Sequence, residues 1–309
     1  MSDKNIVFLG GQYLNYEDAK LPVRTHAFLY GTSVFEGIRA YWNEEHNQLY
    51  IFRMKEHYER LLRSAKIMCM DSPYTVQEMC DITVELLRKN APKCDTYIRP
   101  TLFKTAEKVG PDLLNNPDCF LIFTTPLGQY CDLTKGLSVC VSSWRRVEDN
   151  AIPPRAKVSG AYANAALIAT DAHRAGFDDA IVLSEAGNVT EGSAMNLYLV
   201  ENGKLVTTKT TDNILEGVTR NTVKQFTTEV LGLEVIEKDI DRTELYIADE
   251  AFYCGTGAQV SPITKIDHRL LGKGTIGEVT KKVQDYYFDV VKGNVDKYKN
   301  DWCVPVYAN

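Results

Sequence analysis

The sequence lacks the marks of several functional classes. No apolar run approaches the length of a bilayer span, so no membrane-crossing helix is expected. The N-terminus, MSDKNIVFLGG, has no basic region followed by a long apolar one, which argues against a secretory signal. The 5 histidines form neither H-x-x-x-H nor H-E-x-x-H, and no metal site is expected. The 8 cysteines (Cys69, Cys80, Cys94, Cys119, Cys131, Cys140, Cys254 and Cys303) include no C-x-x-C pair. Dispersed thiols of this kind point to reduced core cysteines and a cytoplasmic home. Excess positive charge is also missing. The net charge is -6, which argues against nucleic acid and anionic membranes as partners. There is no internal repeat and no low-complexity tract.

What is present is a soluble, globular composition of 309 residues, 44% hydrophobic and 25% charged, long enough for two domains. IVFLGGQYLNY carries a Gly-Gly hairpin signal, and QLYIFRM, TYIRPTLFK and CFLIFTT read as strands. KEHYERLLRSAKIM predicts a helix whose apolar face is Tyr58, Leu61, Leu62, Ala65 and Ile67 or Met68. TVQEMCDITVELLRKN predicts a second helix with a Thr start and an Asn stop. PLGQYCDLTKG breaks the pattern with Pro, two glycines and polar residues. It divides a small domain, 1–126, from a large one, 136–309, through a connection at 127–135. In the second part LSVCVSSWRRV, DAIVL, NLYLV and KLVTT read as strands with turns at EAGN and ENGK. YANAALIATDAHRAG and TRNTVKQFTTEVLG read as helices, and EAFYCGTG and QVSPITKID return to strands. Strands joined through short turns and interrupted by helices indicate an α+β fold with a largely antiparallel core.

Three features suggest chemistry. Lys157, in RAKVSGAY, follows a Pro pair and precedes Ser159, Gly160, Ala161 and Ala163. A lysine is ordinarily a solvated loop residue, but one held in a crowded site can lose its proton and form a Schiff base. In ILEGVTRNTV, Gly217 leads into a helix at Val218 and Thr219. Free N–H groups at the positive end of a helix make a phosphate seat, although an ordinary Thr219 cap would look the same. Arg60 and the CGTG run at 254–257 would add donors; taken alone, they are a surface charge and a turn. Glu191, in GNVTEGSAMNLYLV, is either a solvated turn residue or an acceptor for a protonated ring nitrogen. A Schiff-base lysine, a phosphate seat and such a carboxylate together describe a site for pyridoxal 5'-phosphate (PLP).

The chain resembles the branched-chain amino acid aminotransferases, class IV aminotransferases among the fold-type IV PLP enzymes. The resemblance rests on YGTSVFEGIRAY, YIRP, PRAKVSGAY, ILEGVTR and GTGAQVSP, in that order along most of the chain. It implies a two-domain α+β architecture like that of D-amino acid aminotransferase, with a small α/β domain and a larger antiparallel barrel-like one. It implies that Lys157 is the Schiff-base lysine and proton shuttle, Glu191 the pyridine-nitrogen partner and Tyr162 the phenol facing O3′. By the same resemblance Arg60, Val218, Thr219 and Thr256 hold the phosphate, and Leu215 packs on a ring face. Tyr30, Phe35, Gly37, Tyr97, Arg99 and Tyr130 then form the substrate pocket, and Thr256, Gly257 and Ala258 hold the α-carboxylate. The implied partners are L-amino acids, 2-oxo acids and further copies of the chain, in a homodimer or a higher homo-oligomer. Leu127, Ala194, Met195 and Gly257 depart from the common family pattern, and they bear on side-chain preference rather than on the reaction.

The expected activity is therefore ping-pong transfer of the amino group of Leu, Ile or Val to 2-oxoglutarate. The rival readings are another fold-type IV enzyme (acting on other L- or D-amino acids, or an aminodeoxychorismate lyase), a cofactor-free Schiff-base aldolase, and a non-catalytic binding protein. For Tyr30, Phe35 and Tyr97, plain core packing competes with a pocket role. Apart from the family, a pocket that accepts both apolar side chains and glutamate needs aromatic walls and a cation, which Arg99 supplies.

Overall fold

The computed structural model describes residues 5–128 and 133–307. The chain forms two compact units. The first comprises Met1–Gly128, Ala156–Gly160 and Asp289–Asn309; the second comprises Gln129–Arg155 and Ala161–Phe288. Neither unit is one continuous stretch. Two pieces of 136–309 group with the N-terminal unit, and one of them carries Lys157.

The first unit begins with the hairpin β1 (Ile6–Leu9) and β2 (Gln12–Asn15), followed by the short helix α1 (His26–Tyr30). Then come β3 (Ser33–Phe35), β4 (Ile38–Asn43), β5 (Gln48–Phe52), α2 (Met54–Ile67), α3 (Val76–Asn90), β6 (Thr96–Lys104) and β7 (Asp118–Pro126). α3 starts as its sequence predicts: Thr75 and Glu78 form a reciprocal capping box that satisfies two of the helix's open N–H groups. Its end differs in detail. Asn90 still lies in the helix, and its amide bonds both main-chain groups of Ile6 at 2.8 and 2.9 Å. The left-handed Ala91 ends the helix instead.

β6 lies inside the sheet, paired with β7 along its whole length. On its other edge it takes β4 at residues 96–98 and β3 at residues 101–103. Pro100 falls at the break between those two partners, where the Glu36 N–H donates to the Pro100 carbonyl at 2.9 Å. In an antiparallel strand the N and C=O of one residue face the same side, so the missing N–H of Pro100 also faces this break. The break therefore explains how a proline sits in an interior strand. It also turns Glu36 and Gly37 out of the regular ladder.

The second unit contains β8 (Leu137–Arg145), α4 (Tyr162–Arg174), β9 (Asp179–Leu183), β10 (Val189–Gly192), β11 (Asn196–Glu201) and β12 (Lys204–Thr208). It continues through α5 (Val218–Glu229), β13 (Val235–Lys238), β14 (Glu250–Gly255), β15 (Gln259–Ile266) and β16 (Arg269–Leu270). These strands make a nine-stranded sheet in the order β10-β9-β8-β15-β14-β11-β12-β13, with β16 on β15. Three pairings are parallel: β8 with β9, β8 with β15, and β12 with β13. The rest of the sheet is antiparallel. Leu197, Leu199, Val206, Tyr253 and Ile263 from its strands lie in one buried apolar cluster.

The chain closes with α6 (Glu278–Val291), α7 (Asp296–Trp302) and β17 (Cys303–Pro305). β17 pairs with β5 and completes the eight-stranded sheet of the first unit, ordered β17-β5-β4-β6-β7-β1-β2 with β3 on β6. No helix among the described residues is long and apolar enough to cross a membrane.

Candidate active site

In the first unit the segment Ala156–Gly160 lies against the strand that follows α1. Val158 bridges Val34, the Phe35 N–H donates to the Lys157 carbonyl at 3.0 Å, and Gly160 N–H donates to Gly31 O at 3.2 Å. The Ser33 hydroxyl donates to that of Ser159 at 2.7 Å. On the other side the Lys157 N–H donates to the buried Ser64 hydroxyl of α2 at 3.1 Å. The small residues after Lys157 thus permit close backbone approach, and the main chain of Lys157 is fixed through both its N–H and its C=O. Its ammonium lies 5.0 Å from the centre of the Phe35 ring.

The same ring carries a second cation. The Arg99 guanidinium stands 4.1 Å from the Phe35 centroid, and its Nε donates to the Tyr97 hydroxyl at 2.9 Å. Tyr97 and Arg99 share one face of β6 because strand side chains alternate, while Ile98 and Pro100 are buried on the other. Gly37 is required here: a Cβ would lie 2.7 Å from the Tyr97 hydroxyl and 3.1 Å from its ring. Phe35, Gly37, Tyr97, Arg99 and Lys157 are therefore brought together. Tyr30 is placed differently. It is 38% exposed, its ring tilts against His26 at 4.8 Å, and its hydroxyl accepts from the Gly110 N–H at 2.8 Å. Arg60 is buried on α2 and donates from Nε and Nη2 to Glu36 at 2.6 and 2.7 Å. Tyr130 lies outside the described residues.

In the second unit Glu191 is buried near the end of β10. Its Oε1 pairs with Arg146 Nη2 at 2.6 Å, and its Oε2 accepts from the Asn196 amide at 2.8 Å. The Asn196 amide also donates to the Leu215 carbonyl at 2.9 Å. This ties Glu191 to the loop entering α5. At Gly217 an added Cβ would collide with Asn196 Oδ1, so glycine is needed for the loop to pass the Glu191 network. α5 then begins at Val218 with no side-chain cap hydrogen bond, and Thr219 follows in its first turn. Tyr162 opens α4 and is half-buried. Thr256, Gly257 and Ala258 form the turn of the β14–β15 hairpin, whose last ladder pair is Gly255 with Gln259.

Four residues in this machinery are not among the sequence-predicted ones: Glu36, Ser64, Arg146 and Asn196. Glu36 lies in FEGIRAY and Asn196 in EGSAMN, both quoted blocks, yet the partner that gives each its meaning is distant in sequence. Among the described residues no group of three or more His, Cys, Asp or Glu side chains could hold a metal ion.

Residues 33–266 match the family described as amino-transferase class IV. The chain is 46% identical to a probable branched-chain-amino-acid aminotransferase of Aquifex aeolicus, over 98% of this chain and 97% of that one. A branched-chain aminotransferase of Thermoproteus uzoniensis, solved with norvaline, superposes with a TM-score of 0.94 at 42% identity, covering 98% and 99% of the two chains. The branched-chain amino acid aminotransferase of Thermobaculum terrenum, solved in its PLP form, gives a TM-score of 0.95 at 36% identity over 100% of each chain. The cofactor of this family is PLP. The donors described above fit such a group: an amine with a fixed main chain, a buried carboxylate, and a helix N-terminus opened by a glycine and left without a side-chain cap. With its site blocks, its fold and its full-length relatives in agreement, the chain belongs to the class IV aminotransferases, among their branched-chain-amino-acid aminotransferases.

Proposed function

We propose that this enzyme moves the amino group of leucine, isoleucine or valine to 2-oxoglutarate in two ping-pong half-reactions. The observation that carries the proposal is the cluster around Phe35. One aromatic ring faces both the amine of Lys157 and the guanidinium of Arg99, so an apolar wall and a cation stand beside the reactive lysine. Bound PLP supplies an electron sink for charge developing at the substrate α-carbon. Lys157 would supply the amine that holds the cofactor and the base that carries the α-proton. Glu191 would accept the N–H of the pyridine ring, and Tyr162 would serve the O3′ side. Arg60, the N–H groups of Val218 and Thr219, and Thr256 hold the phosphate, while Leu215 packs on the ring. Thr256, Gly257 and Ala258 receive the substrate α-carboxylate. Tyr30, Phe35, Gly37, Tyr97, Arg99 and Tyr130 receive its side chain. The reading includes a homodimer, and an active species with monomer mass by light scattering would refute that part.

The test is a panel of L- and D-amino donors, each followed as a separate half-reaction by cofactor absorbance. Leucine, isoleucine, valine and glutamate are expected to react; a preference for D-amino acids would overturn the reading. The same assay tests Arg99. An arginine meeting the distal carboxylate of glutamate makes charge-assisted hydrogen bonds of about 1.5–3 kcal/mol, and at about 1.4 kcal/mol per decade this is roughly ten- to a hundredfold. An apolar donor has no group to claim that bond. Arg99→Met is therefore expected to depress kcat/KM for glutamate and 2-oxoglutarate by about that factor, with leucine and valine affected less. Equal losses for both classes would mean that Arg99 serves the α-carboxylate or the fold.

A further inference from the structure

The buried face of α2 carries polar groups that a helix packed on a sheet does not need. Glu36 is 0% exposed, His57 2% and Arg60 4%. Glu36 Oε1 accepts from Arg60 Nε at 2.6 Å, and Oε2 accepts from Arg60 Nη2 at 2.7 Å. The second oxygen also meets His57 Nδ1 at 2.7 Å. Burial by itself would raise the Glu36 carboxyl, but the charge and hydrogen bonds of Arg60, joined by His57, outweigh it and hold the group well below the usual carboxylate range. Burial pushes His57 down despite the neighbouring carboxylate. An ionised Glu36 can only accept, so that ring carries a proton on Nδ1.

This arrangement is costly as a device for stability alone. A buried ion pair loses the hydration of both charges and is often no better than apolar packing of the same volume. It does give geometry. A carboxylate that takes the Nε and Nη2 edge of a guanidinium in two parallel bonds fixes the plane of the fork. The carboxylate is anchored in turn by His57 and by its own main chain, whose N–H is bonded to Pro100 at the break in the sheet. The same helix holds the main chain of Lys157 through Ser64, one turn beyond Arg60.

Resting on the reading in which Arg60 holds the cofactor phosphate, we infer that Glu36 is a positioning residue: with His57 it sets the Arg60 guanidinium in the orientation that the phosphate requires. The sign of its effect separates this role from simple electrostatics. A carboxylate near a phosphate repels it, so a purely coulombic effect of Glu36→Gln would tighten PLP. Positioning predicts the opposite. Three donors converge on Glu36, and an amide offers one acceptor oxygen and a donating NH₂ in place of two acceptors.

The experiment titrates the apoprotein with PLP and, separately, with pyridoxal, which lacks the phosphate. Glu36→Gln is expected to weaken PLP by about tenfold or more, the size of one lost charge-assisted hydrogen bond, and to leave pyridoxal affinity unchanged. Adding Arg60→Ala to Glu36→Gln is expected to cost little beyond Arg60→Ala alone. Unchanged or tighter PLP in Glu36→Gln, with Arg60→Ala still weakening it, would overturn the inference and leave the phosphate role of Arg60 standing. Equal weakening of PLP and pyridoxal would make Glu36 a purely structural residue and also overturn it. Full PLP affinity in Arg60→Ala would remove the phosphate role itself. Should Glu36→Gln fail to fold, His57→Gln, which keeps the ion pair and disturbs its anchor, is expected to show a smaller loss confined to PLP; a loss shared with pyridoxal, or none, would overturn the inference.

Discussion

Lys157→Ala is expected to yield a folded protein whose transamination rate is reduced by at least about a thousandfold, since on the proposed reading nucleophile and proton carrier are lost together. Two bonds that anchor this residue use its main chain, through Ser64 and Phe35, and alanine preserves both. The lost contact of the ammonium with the Phe35 ring is worth on the order of 0.5–1 kcal/mol, a small part of the stability of a chain this size. Thermal unfolding of the apoprotein should therefore move little while turnover collapses. The measurement pairs a melting curve with single-turnover absorbance on adding leucine. Turnover near the wild-type rate would remove Lys157 from the chemistry. A collapse of the melting curve would mean that the side chain serves the fold.

Much of the fold is readable in the sequence because local signals agree with the final packing. The Gly-Gly hairpin, the capping box at Thr75 and the strand alternation around Arg99 each carry their own physical cause. α2 shows where such reading stops. Tyr58, Leu61 and Ala65 are buried as the apolar period predicts, and of the two residues offered for its last position Met68 is half-buried while Ile67 is 42% exposed. The rest of the inner face is filled by His57, Arg60 and Ser64. Hydrophobic periodicity assigns histidine, arginine and serine to solvent. Glu36 and the Lys157 main chain, both distant in sequence, help make it favourable to bury them. Readable in the sequence but absent from the expectations above is α6, where the buried Val283, Tyr287, Val290 and Val291 recur at helical spacing.

The candidate site is legible to a similar depth. Its residue types and blocks can be picked out, but the residues that orient them cannot. Arg146 directly follows β8 in SSWRRV, and nothing local distinguishes it from its neighbour Arg145. Its role comes from the pairing of β8 with β9 and of β9 with β10, which places the end of one strand near Glu191 on another. Likewise, Ala156–Gly160 belongs to the first unit through backbone pairing with residues 31–35, which no composition shift announces.

Glu191→Gln is expected to slow both half-reactions equally, by roughly ten- to a hundredfold, the worth of a hydrogen bond to a charged group. On the proposed reading the carboxylate keeps a proton on the pyridine nitrogen, and that proton is what would let the ring draw charge from the substrate α-carbon. Removal of the α-proton is common to leucine and to glutamate, so neither substrate class should be spared. This separates Glu191→Gln from Arg99→Met, whose loss should fall on the dicarboxylates. The surrounding network sharpens the expectation. Arg146 donates to one oxygen of Glu191 and Asn196 to the other, at 2.6 and 2.8 Å. A glutamine can accept only one of these bonds and turns an NH₂ toward the second donor. Asn196 also holds the Leu215 carbonyl at the entrance to α5, so some loosening of that loop is expected along with the slower proton step. Arg146→Met provides the control, because it leaves the carboxylate in place and removes one of the groups that hold it. Its loss should be smaller than that of Glu191→Gln and again equal for both substrates. The measurement is the single-turnover rate for leucine and for glutamate, with cofactor content determined for each variant. Unchanged rates in Glu191→Gln would make this carboxylate a structural partner of Arg146 and Asn196, and a loss confined to one substrate would place it in the side-chain pocket.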